Sequence, residues 1–211
     1  LVVHPRGAAH MADPTKLFAA VRAVYGAEEA DRLYGQPTPV PADRIIAAGE
    51  GFTFELAGRP LVCWDTPGHA RHHLCLWDPR SGGLFTGDIF GLSFRELDVA
   101  GRPSILPTTT PTQFDPAAMH HSVNRILRQQ PAAVYLTHFA RVDEVQRLGG
   151  DLHRLIDAHV AIAERERDAD PDREARILTG LWALMDAEAE RQGWRLGREQ
   201  WREVLRADIE L

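Results

Sequence analysis

Between residues 44 and 86 the apolar residues fall into short runs, at 44–48, 52–56, 61–65, 73–78 and 84–86, split by Gly or Pro. None is long enough for an ordinary helix, and Phe52, Phe54 and Leu56 alternate with polar or small neighbours. That period of two belongs to a half-buried strand, so the middle of this chain must fold as sheet. After Asp143 the spacing changes. Val145, Leu148, Leu152, Leu155, Ile156, His159 and Ile162 recur every three or four residues, the stripe of an amphipathic helix. A charged break at 168–172 precedes a second helix carrying Ile177, Leu178, Leu181, Trp182 and Met185, and a third holds Trp201, Val204 and Leu205. The spacing therefore predicts an α+β domain over residues 1–142 and a helical C-terminal extension over 143–211.

The N-terminal part reads as a strand over 1–4, a turn at Pro5-Arg6-Gly7, and a helix opened by Asp13 as N-cap with Pro14 at its first position. Leu17, Phe18, Val21 and Val24 make the apolar face of that helix, and a shorter helix over 27–34 stops at Gly35. Residues 36–41 hold three prolines and read as a connector. A proline-rich loop with the triplet Thr108-Thr109-Thr110 spans 97–116, followed by a helix over 116–129 and a buried strand over 133–137.

Composition excludes some classes of function. The formal charge of −6 argues against a nucleic-acid surface, which needs clustered Lys and Arg. No run of eighteen apolar residues exists to span a membrane as a helix. A cytoplasmic setting is expected, with Cys63 and Cys75 as buried reduced thiols, although a hairpin centred near His69 would set them face to face.

Three places carry chemistry, each a metal-type side chain at the end of a predicted strand: Thr66-Pro67-Gly68-His69, Phe85-Thr86-Gly87-Asp88, and Val134-Tyr135-Leu136-Thr137-His138. The Pro-Gly turn aims an imidazole into a rim. Gly87 lets the backbone come close to a neighbouring loop or ion. Any one of these is commonplace as a turn or a strand cap. Brought to one rim, two imidazoles and a carboxylate suit zinc, manganese or iron.

The order Thr66-Pro67-Gly68-His69-Ala70, His72-His73-Leu74, Leu84-Phe85-Thr86-Gly87-Asp88 and Thr137-His138 resembles the later motifs of the metallo-β-lactamase superfamily, over about residues 1–142. The resemblance implies a four-layer αββα sandwich, here partial, with a dinuclear metal site at one edge of its two sheets. It assigns His69 to one metal, His138 to the other, and Asp88 to both, with Asp88 also orienting the nucleophile. It implies two divalent ions, zinc first and iron or manganese after it. The reaction it implies is hydrolysis of a small-molecule ester, thioester or lactone by a hydroxide activated on the metals. The helical tail resembles the glyoxalase-II-like and lactonase-like branches. The alternatives are an iron-dependent redox member of the same fold and a non-catalytic relative that has lost its metals.

The family's earlier His-x-His-x-Asp-His motif is not found in the chain. His4 and His10 lie six apart around a Pro-Arg-Gly turn and cannot replace it. Because Leu1-Val2-Val3 reads as the middle of a strand, truncation upstream of Leu1 is expected. Such a chain is expected to hold well under one equivalent of zinc and to be inactive alone. Of the other histidines, at most one of the adjacent pair His72 and His73 can face inward, with His73 the candidate to support a ligand. His120, His121, His153 and His159 read as surface or packing residues on helices.

Overall fold

A computed structural model describes residues 1–108, 113–138, 140–169 and 171–210. Thr109, Thr110 and Pro111 of the proline-rich loop lie outside the described residues, as does the side chain of Val24.

At the N-terminus β1 (Val2–Val3) pairs in parallel with β2 (Ile46–Ala47), and three helices fill the connection between them. These are α1 (Pro5–Ala12), α2 (Thr15–Tyr25) and α3 (Ala27–Tyr34). The predicted Pro5-Arg6-Gly7 turn is the first turn of α1. His4 acts as its N-cap, accepting from the Arg6 N–H at 3.0 Å, and Pro5 needs no N–H in that position. Gly7 packs closely there, since a Cβ would come within 3.1 Å of the Val3 Cγ2 methyl. Asp13 accepts from the Thr15 N–H at 3.1 Å, although Pro14 is the residue that caps α2. A bidentate Arg22–Asp31 pair ties α2 to α3.

The main sheet has six strands in the order β3 (Thr53–Leu56), β4 (Arg59–Asp65), β5 (Leu74–Asp78), β6 (Gly83–Gly87), β7 (Ala133–Leu136) and β8 (Arg141–Val142). All neighbours are antiparallel except β6 and β7, whose parallel pairing requires the crossover through α4 (Pro116–Gln129). Register separates the two cysteines. Cys63 pairs with Leu76, and Cys75 pairs with Trp64. The hairpin is thus offset by one residue from a His69-centred one, which turns the two thiols to opposite faces, and both are buried and free.

One face of this sheet is covered by α4 and α5 (Val145–Arg165). Trp64, Cys75, Leu84 and Val134 meet Met119, Val123 and Ile126 of α4 and Leu148, Leu152 and Ile156 of α5 in a single core. The two helices lie close because Gly149 has no side chain; a Cβ there would overlap Leu127. On the opposite face Phe85 stacks on Tyr135 at 4.8 Å and stays 41% exposed, so the β1–β2 pair does not cover it. The fold is therefore a six-stranded sheet with its helical layer and a second, two-stranded sheet, a partial four-layer sandwich.

Two further helices, α6 (Arg173–Gln192) and α7 (Arg198–Ile209), build a second cluster with the proline-rich segment. Leu92, Phe94, Leu97 and Leu106 pack there against Leu155, Met185, Trp194, Trp201 and Leu205. The indole of Trp194 donates to Ser104 Oγ at 2.8 Å, and Arg154 of α5 meets buried Glu188 of α6 at 2.8 Å. These contacts bring the last turn of α7 back to the strand ends. No described helix is long and apolar enough to cross a membrane.

Candidate metal centre

The Thr66-Pro67-Gly68-His69 turn leaves β4 and is clamped onto the start of α4. The Ser122 hydroxyl donates to Pro67 O at 2.7 Å, and the Asp115 N–H donates to Gly68 O at 2.7 Å. Gly68 has φ 141°, and a Cβ there would overlap the backbone of Met119. Only glycine permits this approach, and the approach aims His69 at the end of β6.

Asp88 follows Gly87, whose φ of 52° turns the chain out of β6. Its backbone N–H donates to His73 Nε2 at 3.0 Å, so that nitrogen presents its lone pair and the ring proton sits on Nδ1. Nδ1 lies 2.9 Å from Thr66 Oγ1, which donates in turn to Cys75 Sγ at 3.3 Å. Burial pushes the His73 pKa down to about 4, with the nearby His69 pushing the same way, so the ring is neutral at pH 7. His73 thus faces inward and holds the backbone of Asp88. Its neighbour His72 is exposed.

The polarity at His69 follows from a second chain of hydrogen bonds. The Thr108 hydroxyl donates to Asp88 O at 2.8 Å, so its oxygen is left to accept from His69 Nδ1 at 2.9 Å. Neutral His69 therefore carries its proton on Nδ1 and turns the lone pair of Nε2 toward Asp88. His69 Nε2 lies 3.7 Å from Asp88 Oδ2, and His138 Nε2 lies 3.3 Å from Asp88 Oδ1. Oδ1 is buried with no hydrogen-bond partner.

The 3.3 Å distance between His138 Nε2 and Asp88 Oδ1 is close to the roughly 3.3 Å between neighbouring donor atoms on a tetrahedral ion, and the 3.7 Å distance between His69 Nε2 and Asp88 Oδ2 is wider. Asp88 thus offers one unpartnered carboxylate oxygen beside the His138 imidazole and its other oxygen on the side of His69, a donor set that would suit a divalent cation. Each ion would find two donors here, short of the four a closed site needs. Accordingly, no group of three or more His, Cys, Asp or Glu among the described residues is arranged to hold an ion by itself.

The cleft over these groups has a volume of about 210 Å³. Besides the three sequence-predicted residues it is lined by Leu92, Pro107, Thr108 and Asp208. Asp208 comes from α7, where nothing in the helical pattern distinguishes it from other exposed acids. Its carboxyl is held above the usual carboxylate range by burial, an effect that His138 partly offsets. The roles of Thr108 and Asp208 arise from tertiary contact and had no local signal.

The model of the metallo-beta-lactamase superfamily matches residues 1–138, ending on His138. The chain belongs to the metallo-β-lactamase superfamily. Members of this superfamily bind dinuclear metal sites and are commonly metallo-hydrolases. Among solved structures, an archaeal metallo-beta-lactamase superfamily protein from Sulfolobus tokodaii is similar at 25% identity with a TM-score of 0.59, over 74% of this chain and 57% of that one. A metallo-beta-lactamase family protein from Thermus thermophilus shares the fold at 19% identity and a TM-score of 0.52, over 90% of this chain and 67% of the other. The chain thus spans 57% of the length of the Sulfolobus relative. No curated protein sequence matches it.

Proposed function

We propose that this chain supplies one wall of the active site of a metal-dependent hydrolase acting on a small ester, thioester or lactone. The observation that carries the reading is the buried, unpartnered Oδ1 of Asp88 with His138 Nε2 at 3.3 Å, while His69 Nε2 stands 3.7 Å from Oδ2. Zinc is the first candidate for this imidazole and carboxylate set, followed by iron and manganese. When bound, such ions supply a water nucleophile at neutral pH and polarise the carbonyl under attack.

The chain's own residues position that chemistry. Asp88 offers one carboxylate oxygen on the side of each imidazole. Thr108 locks His69 into the tautomer whose Nε2 can donate electrons. His73, through its acceptor Nε2, fixes the backbone of Asp88 without carrying charge. Leu92 and Pro107 form the apolar part of the cleft against which an ester body would lie.

Two measurements test this. Calorimetric titration of the purified chain with zinc should show weak binding, with well under one equivalent retained after purification, and Asp88→Ala should remove that binding. In the protein as its gene encodes it, Asp88→Ala should abolish thioester and ester hydrolysis while leaving circular dichroism and thermal midpoint unchanged. Hydrolysis that survives Asp88→Ala, or oxygen consumption in place of hydrolysis, would overturn the assignment.

A further inference from the structure

A second cavity, of about 400 Å³, lies between α5 and α6 and shares no lining residue with the metal cleft. That volume is within the range of small-molecule sites. Its wall is mostly apolar, formed by Phe114, Val160, Ile177 and Leu181 among others. One polar group interrupts it. His159 lines the cavity from α5, and its Nδ1 donates to Leu155 O at 2.7 Å. The other ring nitrogen, Nε2, therefore presents a lone pair, and it has no hydrogen-bond partner among the described residues. Desolvation holds the His159 pKa below the ordinary imidazole value, so the ring stays neutral and acts as an acceptor.

The mouth carries charge. Arg167 is engaged by Glu164 at 3.8 Å, whereas Arg173, the first residue of α6, has no hydrogen-bond or ion-pair partner among the described residues. The charged residues lining the cavity are Glu164, Arg167 and Arg173, and of its two guanidinium groups Arg173 is the one without a partner among the described residues. Burial decreases from His159, which is partly buried, to Arg173, which is exposed. An occupant complementary to this gradient has a hydrogen-bond donor at its inner end, an apolar body, and an anion at its outer end.

We propose that this cavity binds an elongated apolar carboxylate bearing a terminal hydroxyl, with the hydroxyl donating to His159 Nε2 and the carboxylate meeting Arg173. The site is independent of the metal centre, so it is tested on the metal-free chain in the presence of chelator. The probe is 10-hydroxydecanoate, titrated by calorimetry alongside decanoate, which lacks the hydroxyl, and 1,10-decanediol, which lacks the carboxylate. Loss of either polar contact should weaken binding about tenfold, the effect of one well-placed hydrogen bond or ion contact. Arg173→Ala should bring 10-hydroxydecanoate down to the affinity of the diol and leave the diol unchanged. His159→Phe should erase the preference over decanoate. Leu181→Trp, which fills the cavity, should abolish saturable binding of all three while keeping the thermal midpoint.

Equal affinities for the three probes would mean mere apolar adsorption and would overturn the proposal. So would an absence of saturation up to the solubility limit, or a stable dimer whose association the probe does not alter.

Discussion

Thr66 joins the end of β4 to the start of β5 through one hydroxyl, and Thr66→Val isolates that contribution. Valine keeps the shape of the side chain, so little cavity forms at this fully buried position. The hydroxyl is what disappears. Its oxygen accepts from His73 Nδ1 at 2.9 Å, and its proton goes to Cys75 Sγ at 3.3 Å. His73 has no alternative tautomer, because the Asp88 N–H requires the lone pair of Nε2 at 3.0 Å. The variant therefore leaves a buried Nδ1–H without an acceptor, which costs about 1–3 kcal/mol, and the weaker contact to sulfur adds a fraction of that. A loss of about 2 kcal/mol corresponds to a fall of about 4–8 °C in the midpoint of a chain this size. Urea unfolding of the metal-free chain, followed by circular dichroism, measures it directly. A double-mutant cycle with His73→Phe supplies the decisive number, since removing both partners should recover at least about 1 kcal/mol of coupling. A coupling below about 0.5 kcal/mol would refute the hydrogen-bond chain.

Gly68→Ala should be more damaging, because its Cβ would overlap Met119 backbone atoms in helix α4, which cannot swing aside as a side chain can. It should cost about 3 kcal/mol or more by the strain of an overpacked site, and chemical-shift mapping should show His69 and the first turn of α4 displaced together; an unperturbed His69 resonance would contradict the clamp. A pH dependence follows from His73, whose folded pKa is lowered from 6.5 to about 4. Unfolding frees a ring that takes up a proton below pH 6.5, so this stabilisation is complete above that pH and is lost on acidification toward pH 4, amounting to about 3 kcal/mol. Urea midpoints across that window should fall less steeply in His73→Gln than in the parent, and parallel slopes would remove His73 as the cause.

Much of the fold and of the candidate centre was legible before any tertiary contact was known. Alternation over 52–56 and the short runs up to residue 86 dictated sheet, because a period-two pattern has one apolar face only in an extended chain. The period change after Asp143 dictated helices for the complementary reason. Glycine and proline marked where strands end, and a strand end is where a side chain leaves the hydrogen-bonded ladder and becomes available for chemistry. That is why His69, Asp88 and His138 stood out, each within a few residues of the end of a predicted strand. Local signals misread Pro5-Arg6-Gly7, since those residues serve a turn or a first helical turn equally well, and the His4 cap decides which.

What only the tertiary structure decided depends on distance between residues remote in the chain. A one-residue register offset, invisible in composition, separated Cys63 from Cys75. Thr108 gained its role because it reaches His69 across 39 positions and Asp88 across 20, which settles a tautomer that no local pattern encodes. Asp208 entered the cleft only because α7 folds back over the strand ends. The residue types and their order follow from the sequence through local backbone preference. The direction in which each nitrogen presents its proton follows from which partners packing brings within about 3 Å, and that is a property of the folded chain alone.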